Sequence, residues 1–261
     1  MTAISSFGAA AGFDLNQLFE SNARSATARL GLLDTQAASY TTRLSAYAKV
    51  RSALGDLSSA SEALTKLDRF EVPTNGDTPA TVSALQKFVD AYNATQGEIS
   101  EQSGYDRTTR AGGALLGDAA MGGMSRALRS AVSSGDMAKL GLSFGSDGKL
   151  ALDGAKLKDA LKSDPDGVKA ALKGTGDAPG LGKIVNDAVT QFTKPGGQLD
   201  KAAGQMQGAL RDLAGQRSDE AVRAAAVLET YRAKYTQLDM LINGSSVSGS
   251  FLSGQLALLR G

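Results

Sequence analysis

QLDKAAGQMQGALRDLAGQRSDEAVRAAAVLETYRAKYTQLDMLIN, residues Gln198 to Asn243, is the stretch whose reading decides the fold. Leu199, Ala202, Met206, Leu210 and Leu213 open an apolar stripe spaced three and four residues apart. The stripe skips a turn at Arg217 and resumes as Ala221, Ala224, Leu228, Tyr231, Tyr235, Leu238 and Ile242. Such steps average about 3.5, the spacing that keeps one seam facing a partner helix. No proline interrupts the run, and good helix formers dominate it. A helix of this length would reach about 65–70 Å. It cannot bury its seam alone, so another part of the chain must cover it.

The cover lies near the other end. From Leu30 the residues Leu33, Ala37, Tyr40, Leu44, Tyr47, Val50, Leu54, Leu57, Leu64 and Leu67 form a second stripe of threes and fours. Gly31 and Gly55 weaken it locally, and Gly31 with Asp34 is a candidate divider between a short first helix and a longer second one. The expected fold is mainly α: long antiparallel coiled-coil helices from the two chain ends, plus a small α+β insert with one β-hairpin. The residues expected in the seam are Tyr40, Leu44, Tyr47 and Leu54 with Leu228, Tyr231, Tyr235 and Leu238.

Between the two stripes, RFEVPTNGDTP (Arg69–Pro79) carries two prolines and an Asn-Gly turn signal. Helix resumes at Thr81, with Val82, Leu85, Phe88, Val89, Tyr92 and Ile99 on one face. Ser103 to Gly113 reads as a loop and Leu115 to Ser133 as a helix, with Asp118 near its start. LGLSFGSDGKLALD (Leu140–Asp153) switches to alternation around an Asp-Gly turn, which predicts a β-hairpin. Asp153 and Asp164-Pro165 each start a short helix, Thr175 to Gly182 is a loop, and another helix follows to Phe192. Pro195-Gly196-Gly197 launches the last helix, and GSSVSGS (Gly244–Ser250) breaks it by composition. These boundaries give a terminal segment of residues 1–32 and 244–261, flexible and becoming helical on assembly, and a core of residues 33–243 with a small insert at about 138–195.

Composition excludes several classes of function. Among 261 residues there is no Cys and no His, which removes disulfides, thiol nucleophiles, the usual zinc and copper sites and the commonest general base. A net charge of +1 gives no electrostatic case for nucleic acid. No stretch approaches ~18 continuous apolar residues, so no membrane span is expected. The first residues, MTAISSFGAAAGFDLNQLF, show neither a positive n-region nor an apolar h-region, so a location outside the cytoplasm would need export without a cleaved signal.

Few residues suggest chemistry. GLGKI (Gly180–Ile184) departs from a phosphate loop twice, with Asp177 in place of the first Gly and Ile184 in place of Ser or Thr. Asp164-Pro165-Asp166-Gly167 lacks the remaining ligands of a calcium loop and reads as a helix cap. Glu98 and Glu101 are a solvated pair. A Ser–Lys hydrolase rests on nothing but the abundance of those residues. No catalytic residue, cofactor or metal is expected. What remains is an interaction protein whose apolar ends want a partner, most economically further copies of itself.

AISSFGAAAGFDLNQLF (Ala3–Phe19) and ASYTTRLSAYAKVRSAL (Ala38–Leu54) resemble the N-terminal region of the bacterial flagellar filament cap family, also called hook-associated protein 2. FVDAYNA (Phe88–Ala94), LLGD (Leu115–Asp118), LGLSFGSDGKLALDGAKLKDAL (Leu140–Leu161), AKYTQLDMLI (Ala233–Ile242) and SSVSGSFLSGQL (Ser245–Leu256) are similar to its C-terminal region, in the same order. In the typical member a large, mostly β head is inserted where this chain has only Phe70 to Thr81.

The resemblance implies a ring-like homo-oligomer, commonly a pentamer, at the distal tip of the flagellum, which helps exported flagellin fold and insert. It also implies secretion through the flagellar export channel, with flagellin, hook–filament junction proteins, the export apparatus and a cytoplasmic chaperone as partners. Phe7, Gly12, Phe13, Asp14, Leu15 and Leu18, with Phe251, Leu252, Leu256 and Leu259, are the residues expected to make leg contacts. The alternative is a hook–filament junction protein or a flagellin-like structural subunit. The hairpin and the LLGD segment argue against it.

Overall fold

The long apolar stripes do form long helices. In the computed structural model, which describes residues 15–70, 79–176 and 178–260, α1 spans Leu15–Thr65 and α7 spans Gln198–Arg260. Neither breaks where expected: Gly31 sits inside α1, and residues 244–250 continue α7. A lone helical glycine costs about 1 kcal/mol relative to Ala and does not stop a helix that lacks proline. Between the two run α2 (Ala80–Ser103), β1 (Tyr105–Asp106), β2 (Ala111–Gly112), α3 (Ala119–Ser133), β3 (Leu142–Phe144) and β4 (Leu150–Leu152). Then come α4 (Gly154–Ser163), α5 (Pro165–Lys173), β5 (Gly174–Thr175), β6 (Ala178–Pro179) and α6 (Leu181–Thr193). The fold is mainly α with small antiparallel strand pairs.

The chain divides into two compact units. One is Ser39–Gly208, and the other takes the outer parts of the long helices, up to Ala38 and from Ala209. The division thus falls within α1 and α7, not at 32/33 and 243/244. Residues 138–195 pack into the first of these units. Leu142, Leu157, Val168 and Val185 belong to the same core cluster as Phe88 and Leu128.

That core explains the elements of unit 39–208. α2 buries Val82, Leu85, Phe88, Val89, Tyr92 and Ile99 along one face, and α3 buries Met121, Met124, Leu128 and Val132. Each large side chain taken from water is worth about 1.5–3 kcal/mol before conformational entropy is counted. The buried hydroxyls are satisfied locally or across helices: Ser61 Oγ donates to Leu57 O, and Thr95 Oγ1 donates to Ala53 O of α1. At the crossing of α6 and α1 a Cβ on Gly182 would stand 2.6 Å from Ser61 O, so only glycine lets the backbones approach.

The caps fall as the sequence predicts. Asp118 starts α3 by accepting from Ala120 N at 2.8 Å, Asp153 starts α4 by accepting from Ala155 N and Lys156 N at 3.1 Å, and Asp164 starts α5 by accepting from Gly167 N at 2.8 Å. Leu115 is buried but not helical, because Gly117 at φ +80 turns the chain before the cap. In the hairpin, Leu142 pairs with Leu152 and Phe144 with Leu150, and Gly148 takes φ +79 at the Asp-Gly turn. Asn93 of α2 seals one edge: its Nδ2 donates to Leu150 O and its Oδ1 accepts from Leu150 N, both at 2.8 Å. The stretches expected to be loops at 103–113 and 175–182 carry the pairs β1–β2 and β5–β6. Two residues are too few to show alternation.

Candidate functional site

The outer unit is built from two stripes that meet along part of their length. Asp34 of α1 accepts from Arg217 Nε of α7 at 2.5 Å, and Arg29 Nε lies 3.8 Å from Glu220 Oε2. Further along, Asn22 Nδ2 donates to the Tyr235 hydroxyl at 2.8 Å, and the Phe19 ring meets the Tyr235 ring edge-on, centroids 6.1 Å apart. Partner numbers fall on α1 as they rise on α7, so the pairing is antiparallel. Leu33, Leu213 and Ala224 are its buried hydrophobic residues among those described. The two irregularities of the stripes face each other: the skip at Arg217 falls where Arg217 meets Asp34.

Past Tyr235 the cover runs out among the described residues. Leu238 is 40% exposed, Leu241 71%, Phe251 66%, Leu252 60% and Leu259 82%. At 100° per residue Leu238, Leu241, Leu252, Leu256 and Leu259 form one row, and Met240, Val247, Phe251 and Leu258 form a neighbouring one. Exposed apolar rows of this kind are a candidate contact surface. No helix among the described residues is long and apolar enough to cross a membrane.

The expected contact residues are placed as follows. Phe7, Gly12, Phe13 and Asp14 lie outside the described residues. Leu15 opens α1, Leu18 is 46% exposed, and Phe251, Leu252, Leu256 and Leu259 stand in the exposed rows. The two halves of the expected seam lie in different units. Tyr40, Leu44, Tyr47 and Leu54 belong to Ser39–Gly208, where Tyr47 and Leu54 are buried in the core. Leu228, Tyr231, Tyr235 and Leu238 belong to the outer unit, where Tyr235 meets Phe19 and Asn22. Periodicity identifies a face but not a register, and here the register follows Asp34–Arg217 and Arg29–Glu220. Complementary charges at the gaps in the two stripes were the available signal.

Tyr47 does more than fill space. Its hydroxyl donates to Asp118 Oδ2, tying α1 to the cap of α3. Burial first, and then the neighbouring carboxylate, push its pKa up to about 12. The phosphate-loop-like stretch is a helix start with Gly180 at the N-cap, and Asp164 is a cap with its carboxyl held below the ordinary value by the Gly167 amide. A cleft of about 540 Å³ beside α2 and β1–β2 contains Asp106, whose carboxylate is occupied by Thr108 N and Thr109 Oγ1. Among the described residues no three His, Cys, Asp or Glu side chains group as a metal site would require.

Surface and fold together describe a helical protein whose exposed chemistry suits protein contact. The family model for the flagellar hook-associated protein 2 C-terminus matches residues 56–245, and the chain belongs to that family. Flagellar hook-associated protein 2 of Escherichia coli strain K12 is 29% identical over 194 residues, covering 69% of this chain and 42% of that protein. The B-type flagellar hook-associated protein 2 of Pseudomonas aeruginosa is 31% identical over 187 residues, covering 67% and 39%. A crystal structure of the D1-D2-D3 domains of the flagellar cap protein FliD from Escherichia coli aligns with a TM-score of 0.43 at 31% identity, over 49% of this chain and 37% of that one. The chain spans about two-fifths of the length of the curated relatives it matches.

Proposed function

We propose that this chain is a non-enzymatic structural protein of the flagellum that works as a filament cap. Copies associate at the distal tip into a ring-like homo-oligomer and promote the folding and insertion of flagellin subunits as the filament grows. The outer unit supplies the contacts, with the terminal residues Phe7, Gly12, Phe13, Asp14, Leu15 and Leu18 acting beside Phe251, Leu252, Leu256 and Leu259. Flagellin and the hook–filament junction are the partners, and the chain reaches them through the flagellar export channel. Family membership supports the flagellar role. The observation that carries the mechanism is the pair of exposed apolar rows on α7. Burying each such side chain against a partner contributes about 1.5–3 kcal/mol.

Deleting the gene tests this reading. Hooks without filaments, with monomeric flagellin in the medium, are expected, and intact filaments with full motility would overturn it. Complementation with Phe251→Asp/Leu252→Asp then tests the surface. The double variant is expected to stay folded, because both side chains point to solvent, and to grow no filaments. Normal filaments from that variant would remove the rows from the mechanism.

A further inference from the structure

Beside its buried row, α2 presents a second one. Asn93, Gln96, Gly97, Ser100 and Gly104 follow at steps of three and four and floor two clefts that meet at Gly97 and Ser100. One is the cleft of about 540 Å³ beside β1–β2. The other, of about 460 Å³, is walled by α3 and by the β3–β4 turn. Together they make a groove about 16 Å long on the helical rise from Asn93 to Gly104. Gly97 in α2 and Gly122 in α3 both line it, and a Cβ added at either meets nothing within 4 Å. Glycine lowers helix stability, and no close approach within the chain requires it at these two positions. What it does there is keep the groove open.

The inner polar groups of the groove are already paired. Gln96 Nε2 donates to the Tyr92 hydroxyl at 3.1 Å and to Ser125 O at 3.2 Å, and its Oε1 accepts from Ser125 Oγ at 2.7 Å. The charges at the two ends are not. At one end the Arg129 guanidinium lies 5.1 Å over the Phe144 ring and its Nη2 donates to Gly148 O at 3.2 Å, so it is held in place. Neither Arg129 nor its neighbour Lys149 has an ion-pair partner among the described residues. Asp147 stands nearby, with its Oδ1 accepting from Lys149 N at 3.0 Å to close the turn. At the other end Asp106 is occupied by Thr108 and Thr109, whereas Glu101 has no ion-pair partner among the described residues. Tyr105, 56% exposed, stands at that rim.

We propose that the α2 groove binds an extended polypeptide segment that carries an acidic and a basic side chain a few positions apart. The acid seats against Arg129 and Lys149, whose fixed fork and point charge suit a carboxylate, and the base seats against Glu101. The length of the groove fits about five residues of extended chain at about 3.3 Å each, and a small carboxylate would use only one end of it. Gly97 and Gly122 let the segment's backbone come down onto the helices, and Tyr105 offers an aromatic face at the rim. This is a second contact surface, built on the enclosed unit and separate from the apolar rows of α7.

Titrating the isotope-labelled full chain with capped pentapeptides tests this by NMR, and the readout does not depend on filament growth. Each peptide holds one Glu and one Lys, set two to four positions apart among Gly and Ser. Amide shifts are expected at Gly97, Ser100, Gly122 and Lys149, with the outer unit unmoved. Arg129→Gln/Lys149→Gln is expected to weaken the best peptide about tenfold, and raised salt to weaken it as well. Gly97→Leu, which favours the helix and fills open space, is expected to abolish the shifts while the spectrum keeps its dispersion. Peptides that move none of these amides at millimolar concentration would overturn the proposal, as would binding that survives Gly97→Leu. Acetate giving the same shifts at the same affinity would reduce the groove to a carboxylate site and overturn the peptide assignment.

Discussion

Unit 39–208 and the outer unit share the same two long helices, yet they are stabilised in different ways. In unit 39–208 α1 is buried by other helices, with Val50, Leu54, Leu57 and Leu64 fully enclosed, and polar groups such as Thr95 and Asn93 reach across to backbone. In the outer unit Leu33, Leu213 and Ala224 are the described hydrophobic residues below the surface, and charged or aromatic contacts mark the pairing. The difference teaches where burial is spent. The enclosed unit holds the fold, and the described part of the outer unit leaves large apolar side chains such as Phe251 and Leu252 exposed.

The largest effect should come from breaking the enclosed unit. Phe88 is wholly buried in the core cluster, and Phe88→Ala should cost about 3–5 kcal/mol. Urea unfolding followed by circular dichroism should show the main transition at much lower denaturant. An unchanged midpoint would mean that the cluster around α2 does not carry the fold. Leu213→Ala removes a buried side chain from the other unit, where neighbouring solvent lets the site relax, so about 2 kcal/mol is expected. That loss should appear in the exchange of amides near 205–225 and leave the main transition in place. A matching shift of the main transition would show the two units to be one cooperative body.

Much of this contrast could be read from the sequence, and the rest could not for physical reasons. The stripes in α1 and α7, the apolar face of α2, the Asp-Gly hairpin and the caps at Asp118, Asp153 and Asp164 all arise from local rules of spacing and capping. Local rules do not say which stripe covers which. Tyr47 and Leu54 fit the same heptad pattern as Leu33, yet they face the core of unit 39–208. Continuity through Gly31 and residues 244–250 was hidden because glycine and serine lower helix stability without forbidding the helix. In the candidate site, Leu252 and Leu256 could be named from their apolar spacing. Tyr235 as the meeting point of Phe19 and Asn22 needed three dimensions.

A smaller effect sharpens the comparison from the side of unit 39–208. Tyr47→Phe deletes the hydroxyl that Asp118 accepts, for about 1.5 kcal/mol at neutral pH. The tyrosine is held protonated up to about 12 against an ordinary value of 10.0, so the folded state keeps a proton that the unfolded state releases. This contribution is fully present below pH 10 and is lost as pH rises from 10 to 12. Thermal unfolding across that window should fall less steeply in Tyr47→Phe than in the parent. Parallel curves would mean that the hydroxyl is not titrating with the fold.

The smallest effect belongs to the outer unit's charged edge. Asp34 and Arg217 are both about half exposed, so water and salt screen their attraction, and Asp34→Asn should cost only about 0.2–1 kcal/mol. Its value as a probe is in register. Removing the charge leaves the apolar stripes free to slide by a turn, because their three-and-four spacing is nearly the same at each step. Exchange protection near Leu33 and Leu213 should therefore weaken slightly and become more salt-independent than in the parent. If Asp34→Asn instead abolishes pairing, the buried trio is too small to hold the helices together. The charges, and not Leu33, Leu213 and Ala224, would then be what joins α1 to α7 in the outer unit.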